Sequence, residues 1–435
     1  MFLKSLVFLW AVGCCLSTHN CNEENLAPSS AEPVSSKDEE RLGQLMRSNR
    51  KLTTFLYQEF QQNSADSENI LFSPMTILST LALLYGGADK VTKDQMDNVL
   101  KFGKFSSRSL HSTVKSVTDS LYHRSNKYSL RGATRFYAAK TVFDEDYIDL
   151  AKTFYRVNLH TVDFKSEEKD FSDKETELDN NDLEDLRARK IYEMLEAEKV
   201  DPSKGIVLIA AVSFKSHWAE NFDKSRTMKD IFSLTKSKYV QVDMMYYKGV
   251  LPYAYIVDLN CHVVEIPYAD RQVSLFILLP KRIGGLPAVE AGLGTKLLRY
   301  IPSLVKETTI EIKLPRFQFE RHYTLENNLR GIGLEDIFVE DKADFSRMNG
   351  HIWMYVARLF HKASFTVQED QDNDFHDEFM PRHKTNDPSE KKFKAEQRIG
   401  VNHPFLFFIR HNALDAILFF GRLSKPSDIY VKDEI

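Results

Sequence analysis

Cysteine is scarce in this chain. Four in 435 residues are too few for the disulfide framework of a small secreted domain. Asn-x-Ser/Thr triplets are absent, so N-glycosylation is not expected. After the first residues, no segment is apolar for the roughly 20 positions a membrane-crossing helix needs. An excess of positive charge is also missing. With 58 Lys and Arg against 62 Asp and Glu, the formal net charge is -4, which provides no general attraction to nucleic acid. Signatures of catalysis and metal binding are lacking too. There is no nucleophile elbow, phosphate-binding Gly-Lys-Ser/Thr loop, His-Glu-x-x-His helix or pair of Cys-x-x-Cys knuckles. Gly292-Leu293-Gly294 lacks the third glycine of a dinucleotide fingerprint, and His376 and His383 have no third ligand near them in sequence. No enzyme activity, cofactor or metal is expected.

What is present begins with a leader. Lys4, the apolar run Leu6–Val12 and small residues around Gly13 and Ser17 have the order of a signal peptide over residues 1–17, so the mature chain is expected to be secreted and extracellular. Cleavage after Ser17 would leave Cys21 and Cys261, which could pair or stay free; a small buried hydrophobe is the favoured reading of Cys261. Residues 18–39 are polar and aperiodic, an expected disordered tail. The domain is expected to span residues 40–428, with a short tail over 429–435. From Glu40, the residues Leu42, Leu45, Met46, Leu52, Phe55, Leu56 and Phe60 recur at helical spacing, and a second helix is expected from Pro74 through Tyr85. Ile206–Phe214, Val273–Leu279, Thr309–Leu314 and the pair Phe405–Ile409 with Ala416–Phe420 read as strands, the last two as a hairpin. Helices early and strands late, without βαβ alternation, indicate an α+β class. Two polar segments interrupt the pattern: Glu167–Asp185, with ten acidic residues, and Glu369–Arg398, nearly free of aliphatics. Both are expected to be exposed.

Several motifs resemble the serpin family. They are Asn69-Ile70-Leu71-Phe72-Ser73-Pro74-Met75-Thr76-Ile77, Phe214-Lys215-Ser216-His217-Trp218, Leu314-Pro315-Arg316-Phe317, Ala343-Asp344-Phe345-Ser346, His361-Lys362-Ala363, His403-Pro404-Phe405 and Phe420-Gly421-Arg422-Leu423, in the family's order from about residue 50 to 426. The resemblance implies one domain of three β-sheets and about nine helices, with an exposed reactive loop over about 369–400. It also implies an extracellular serine protease as partner and a monomeric state. In inhibitory members the cut loop inserts as a new central strand and distorts the acylated protease. Ser73, Thr76, Ala210, Trp218 and His361 fall at the family's shutter and breach, the places where the sheet parts.

The departures point away from inhibition. The resemblance places the hinge at Glu369, Asp370, Gln371, Asp372, Asp374, His376 and Glu378, where inhibitory members carry small residues. Asp372, Asp374, His376 and Glu378 would share one face of an inserted strand. Three buried carboxylates would oppose insertion by about 10 kcal/mol. A one-residue slip would bury Gln371, Asn373, Phe375 and Asp377 instead, at lower cost. The loop is also long and contains Pro381 and Pro388. Ala210 stands where the family has an Asn that pairs with the shutter histidine. Between Phe164 and Ile206 the family's usual signature is replaced by the acidic segment, which puts the end of its sheet-covering helix in question.

Arg382 and Lys384 are the candidate cleavage sites. Residues 101–131 hold seven Lys or Arg against Asp119, and Lys101, Lys104, Arg108 and Lys115 form a candidate polyanion site of the glycosaminoglycan-binding kind. The expectation is a secreted, non-inhibitory binding, carrier or decoy protein. The alternative is a working inhibitor that covalently traps a trypsin-like protease.

Overall fold

A computed structural model describes residues 36–122, 128–162, 205–351, 354–369 and 395–426. Helix α1 spans Ser36–Asn63 and buries Leu45, Met46, Leu52, Leu56, Tyr57 and Phe60, close to the face expected from the periodicity. It starts four residues inside the segment expected to be a disordered tail. No apolar face drives that first turn. Asp38 and Glu39 complement the helix dipole there, and Asp38 pairs with Arg41 at 3.0 Å.

Helix α2, Pro74–Gly87, is apolar on nearly every side and correspondingly buried. The Ser73 hydroxyl caps it by accepting from the Thr76 amide, and Pro74 opens its first turn. The other helices are α3 (Lys90–Leu100), α4 (Ser107–Leu121), α5 (Glu145–Tyr155), α6 (Leu286–Ala291), α7 (Thr295–Leu304), α8 (Glu326–Gly331) and α9 (Ser346–Asn349). Nine α-helices are thus present among the described residues, and none of these is long and apolar enough to cross a membrane.

Fourteen strands follow the described chain: β1 (Ile70–Phe72), β2 (Tyr128–Ala139), β3 (Leu159–Val162), β4 (Gly205–Ser216), β5 (Met228–Ser233), β6 (Tyr239–Ile256), β7 (Cys261–Pro267), β8 (Val273–Pro280), β9 (Lys306–Pro315), β10 (Phe317–Thr324), β11 (Tyr355–Val367), β12 (Gln397–Gly400), β13 (Phe405–His411) and β14 (Ala416–Leu423). One sheet has five strands in the order β10-β11-β4-β2-β3. The other two expected strand groups share β6. Its residues 239–253 pair with β5 and β9, and its residues 253–256 pair with β7, so the hydrogen bonding runs on as one nine-stranded sheet. The β13–β14 hairpin forms as expected, and β8, β13 and β14 are buried along almost their whole length, which explains their unbroken apolar runs.

Candidate functional site along the seam between β4 and β11

The five-stranded sheet is antiparallel except where β11 lies parallel to β4 and β3 parallel to β2. The β4–β11 seam is closed from Tyr355 opposite Gly205 to Phe365 opposite Phe214. Strand alternation turns Leu208, Ala210, Val212 and Phe214 of β4 and Leu359, His361, Ala363 and Phe365 of β11 to the buried side. The opposite side carries Ser213, Lys215, Lys362, Ser364 and Thr366, only partly buried, towards the Phe214 and Phe365 end, while Val207, Ile209, Ala211 and Phe360 on that same side are buried.

At mid-seam, His361 is tied on both ring nitrogens. Nε2 accepts from the Ser73 amide at 2.9 Å, and Nδ1 donates to the Ala210 carbonyl at 2.8 Å. Both partners are main-chain groups. They require the neutral ring with its proton on Nδ1, and burial pushes the imidazole down to about 4. Ser73 Oγ and Thr76 Oγ1 are 2.9 Å apart, so the α2 cap and His361 form one connected group. The absence of a polar side chain at Ala210 therefore leaves His361 satisfied, because the strand's own carbonyl takes the bond.

Beyond the end of β11, Trp218 stacks on Tyr268 at 4.5 Å and its Nε1 donates to the Gln368 carbonyl at 2.7 Å. The next residue, Glu369, is 2% exposed. Its carboxylate accepts three hydrogen bonds from Arg316 at 2.7–3.0 Å and one from Thr227 Oγ1 at 2.5 Å. Burial works to raise its pKa, but these bonds outweigh it and hold the carboxyl below the ordinary range. The structure thus brings Trp218 and Glu369 together. Arg316 and Thr227 were not foreseen in these roles; the only signal for Arg316 was its place after Leu314-Pro315. Asp370, Gln371, Asp372, Asp374, His376, Glu378, Arg382 and Lys384 lie outside the described residues, as do the acidic run and Cys21. Cys261 is fully buried in β7, and burial pushes its thiol up to about 12.

The basic residues sit apart from this seam. Lys101 ends α3 in a left-handed conformation, Lys104 follows in a short 3-10 turn, and Arg108 and Lys115 lie on α4. Lys101, Lys104 and Arg108 are exposed. Lys115 is held by Asp119 at 2.7 Å, and Asp119 also binds Arg156 at 2.9 Å, so Lys115 does not stand as an uncompensated charge. Among the described residues no group of three His, Cys, Asp or Glu is placed to hold a metal.

Comparison with known proteins matches this architecture. The family Serpin (serine protease inhibitor) matches residues 47–426. Leukocyte elastase inhibitor of Xenopus laevis is 32% identical over 377 residues, covering 85% of this chain and 96% of its own length. Leukocyte elastase inhibitor of Homo sapiens is 31% identical over 390 residues, covering 88% and 100%. Among solved structures, uncleaved ovalbumin superposes with a TM-score of 0.74 at 25% identity, covering 88% of this chain and 100% of its own. Human thyroxine-binding globulin, complexed with thyroxine, gives 0.74 at 22% identity over 89% and 99%, a likeness of fold. The order of strands around the seam, the tied His361 and the family match over most of the chain together establish that this protein belongs to the serpin family.

Proposed function

We propose that the chain is a secreted serpin that does not inhibit by loop insertion and acts as a binding, carrier or decoy protein, with extracellular serine proteases cutting it as a substrate. The observation that carries this reading is the apolar lining of the seam. A strand placed between β4 and β11 would set alternate side chains against Leu208, Val212, Ala363 and Phe365, all at most 3% exposed. Asp372, Asp374, His376 and Glu378 alternate in that way, and unpaired carboxylates on such a surface cost several kcal/mol each. Glu369 also begins the segment already bound to Arg316 and Thr227.

The second reading is a working inhibitor, and the names of the relatives favour it: two that match most of the chain are elastase inhibitors. Incubation with trypsin-like and elastase-like proteases separates the two. A cleaved product without an SDS-stable complex supports the first reading, and a stable complex establishes the second. A subsidiary proposal is a polyanion site, now centred on the exposed Lys101, Lys104 and Arg108.

A further inference from the structure

Away from the seam, α4 and α5 meet through a buried imidazole. His111 of α4 is 1% exposed, and its Nδ1 lies 2.6 Å from the hydroxyl of Tyr155, the last residue of α5. Its Nε2 is buried with no hydrogen-bond partner. The ring is pressed against α2, where a Cβ on Gly86 would come within 3.2 Å of its Cε1 and within 3.0 Å of Leu150 of α5. Phe154 stands 6.0 Å away. A larger residue at position 86 would crowd both the ring and Leu150 by a few tenths of an ångström.

A neutral ring with its proton on Nδ1 donates to Tyr155 and leaves one empty acceptor, a modest cost. An imidazolium would place an N–H at Nε2 with nothing to receive it. The surrounding charges do not help. From α3, Lys93 adds a second positive charge, and Asp97 bonds Tyr85 of α2. On α4 itself, Asp119 is bound by Lys115 and Arg156. From α1, Arg47 donates to Gln44 and Lys51 to the Val99 carbonyl. From α5, the Tyr147 hydroxyl donates to the Leu83 carbonyl, and burial holds the Tyr155 hydroxyl well above its ordinary range, so it stays protonated.

We infer that His111 is an acid-released latch: it ties α4 to α5 at neutral pH, and acidification opens this helix pair locally before the sheets unfold. Burial lowers its folded pKa from 6.5 to about 4. The open state therefore takes up the proton first and gains ground as pH falls from 6.5 towards 4. A further polar link, from Arg156 just after α5 to Asp119 of α4, has side chains 68% and 38% exposed and holds the helices weakly.

Hydrogen exchange of the intact protein at pH 7.4 and 5.0, normalised for intrinsic rates, tests the latch. Peptides covering 107–121 and 145–155 are expected to exchange on the order of tenfold faster at pH 5.0, while peptides from β8 and β13 hold their protection. His111→Gln keeps an uncharged donor for Tyr155 and should abolish the acceleration. Equal acceleration in that variant, or none in the unaltered protein, overturns the inference. A second readout needs no variant: exchange of the His111 ring C2–H with pH. A slow ring with an acid-shifted midpoint supports the latch, and a midpoint near 6.5 at an ordinary rate sinks it.

Discussion

Glu369 and Arg316 stand 53 residues apart in sequence and are joined by three hydrogen bonds of 2.7–3.0 Å, the carboxylate buried and the guanidinium half-exposed. The pair pins the second residue after β11 to the corner between β9 and β10. A buried carboxylate that loses its cation typically costs 3–5 kcal/mol.

Arg316→Ala should destabilise the protein by about 2 kcal/mol, less than that range because the arginine is already half in water. Glu369→Gln should cost about 1 kcal/mol, since the amide still accepts one bond. Urea midpoints at pH 7.4 measure both. The folded pKa of Glu369 is lowered, so its contribution is present above the unfolded value and is lost as pH falls through the folded one. Two unchanged midpoints would show that the pair does not hold the chain where it leaves β11.

His361 should make stability fall with acid in a different window. Its folded pKa of about 4 lies below the ordinary 6.5, so the unfolded chain binds the proton first. Stability then declines from about pH 6.5 to 4, by on the order of 3 kcal/mol for this one residue. His361→Gln removes the titration, and the stability gap between unaltered protein and variant should narrow as pH falls. Other buried histidines, among them His403 and His411, also titrate low, so the difference between the two proteins is the quantity to follow. A gap constant from pH 7 to 4.5 would contradict the neutral, doubly bonded ring.

Hinge chemistry is tested by comparing melting temperatures before and after cleavage at Arg382 or Lys384. The unaltered protein is expected to melt within a few degrees of the intact form once cut. Replacing Asp372, Asp374, His376 and Glu378 with Thr removes the desolvation cost from one strand face, and the cut variant should gain stability by adding a hydrogen-bonded strand over the apolar seam. A large gain on cleavage of the unaltered protein would put the inhibitor reading first.

Heparin affinity, if retained at low salt, should drop when Lys101, Lys104 and Arg108 are changed together to Ala. Lys115→Ala alone should alter it little, because Asp119 already compensates that ammonium. The elution salt concentration reads this directly. No retention by the unaltered protein ends the proposal, and an equal loss from Lys115→Ala would show that the Asp119 contact gives way to the polymer.

The sequence by itself determined the class, the helical face of α1, the buried strands β8, β13 and β14, and the motif order, because period and apolar content are local properties of the chain. By resemblance it singled out Ser73, His361 and Trp218 as shutter and breach candidates and Glu369 as a hinge candidate. Tertiary structure decided how they are satisfied. Composition cannot reveal that the Ala210 carbonyl serves His361, since every residue carries a carbonyl and only the parallel register of β4 with β11 brings this one into reach. Nor could it pair Glu369 with Arg316 and with Thr227, 142 residues away, because such contacts arise where three separate elements end together. His111 was one scattered histidine among thirteen. Its burial against Gly86, with one nitrogen bonded and the other empty, follows only from the packing of α2, α4 and α5, which places an ionisable ring where water cannot reach it.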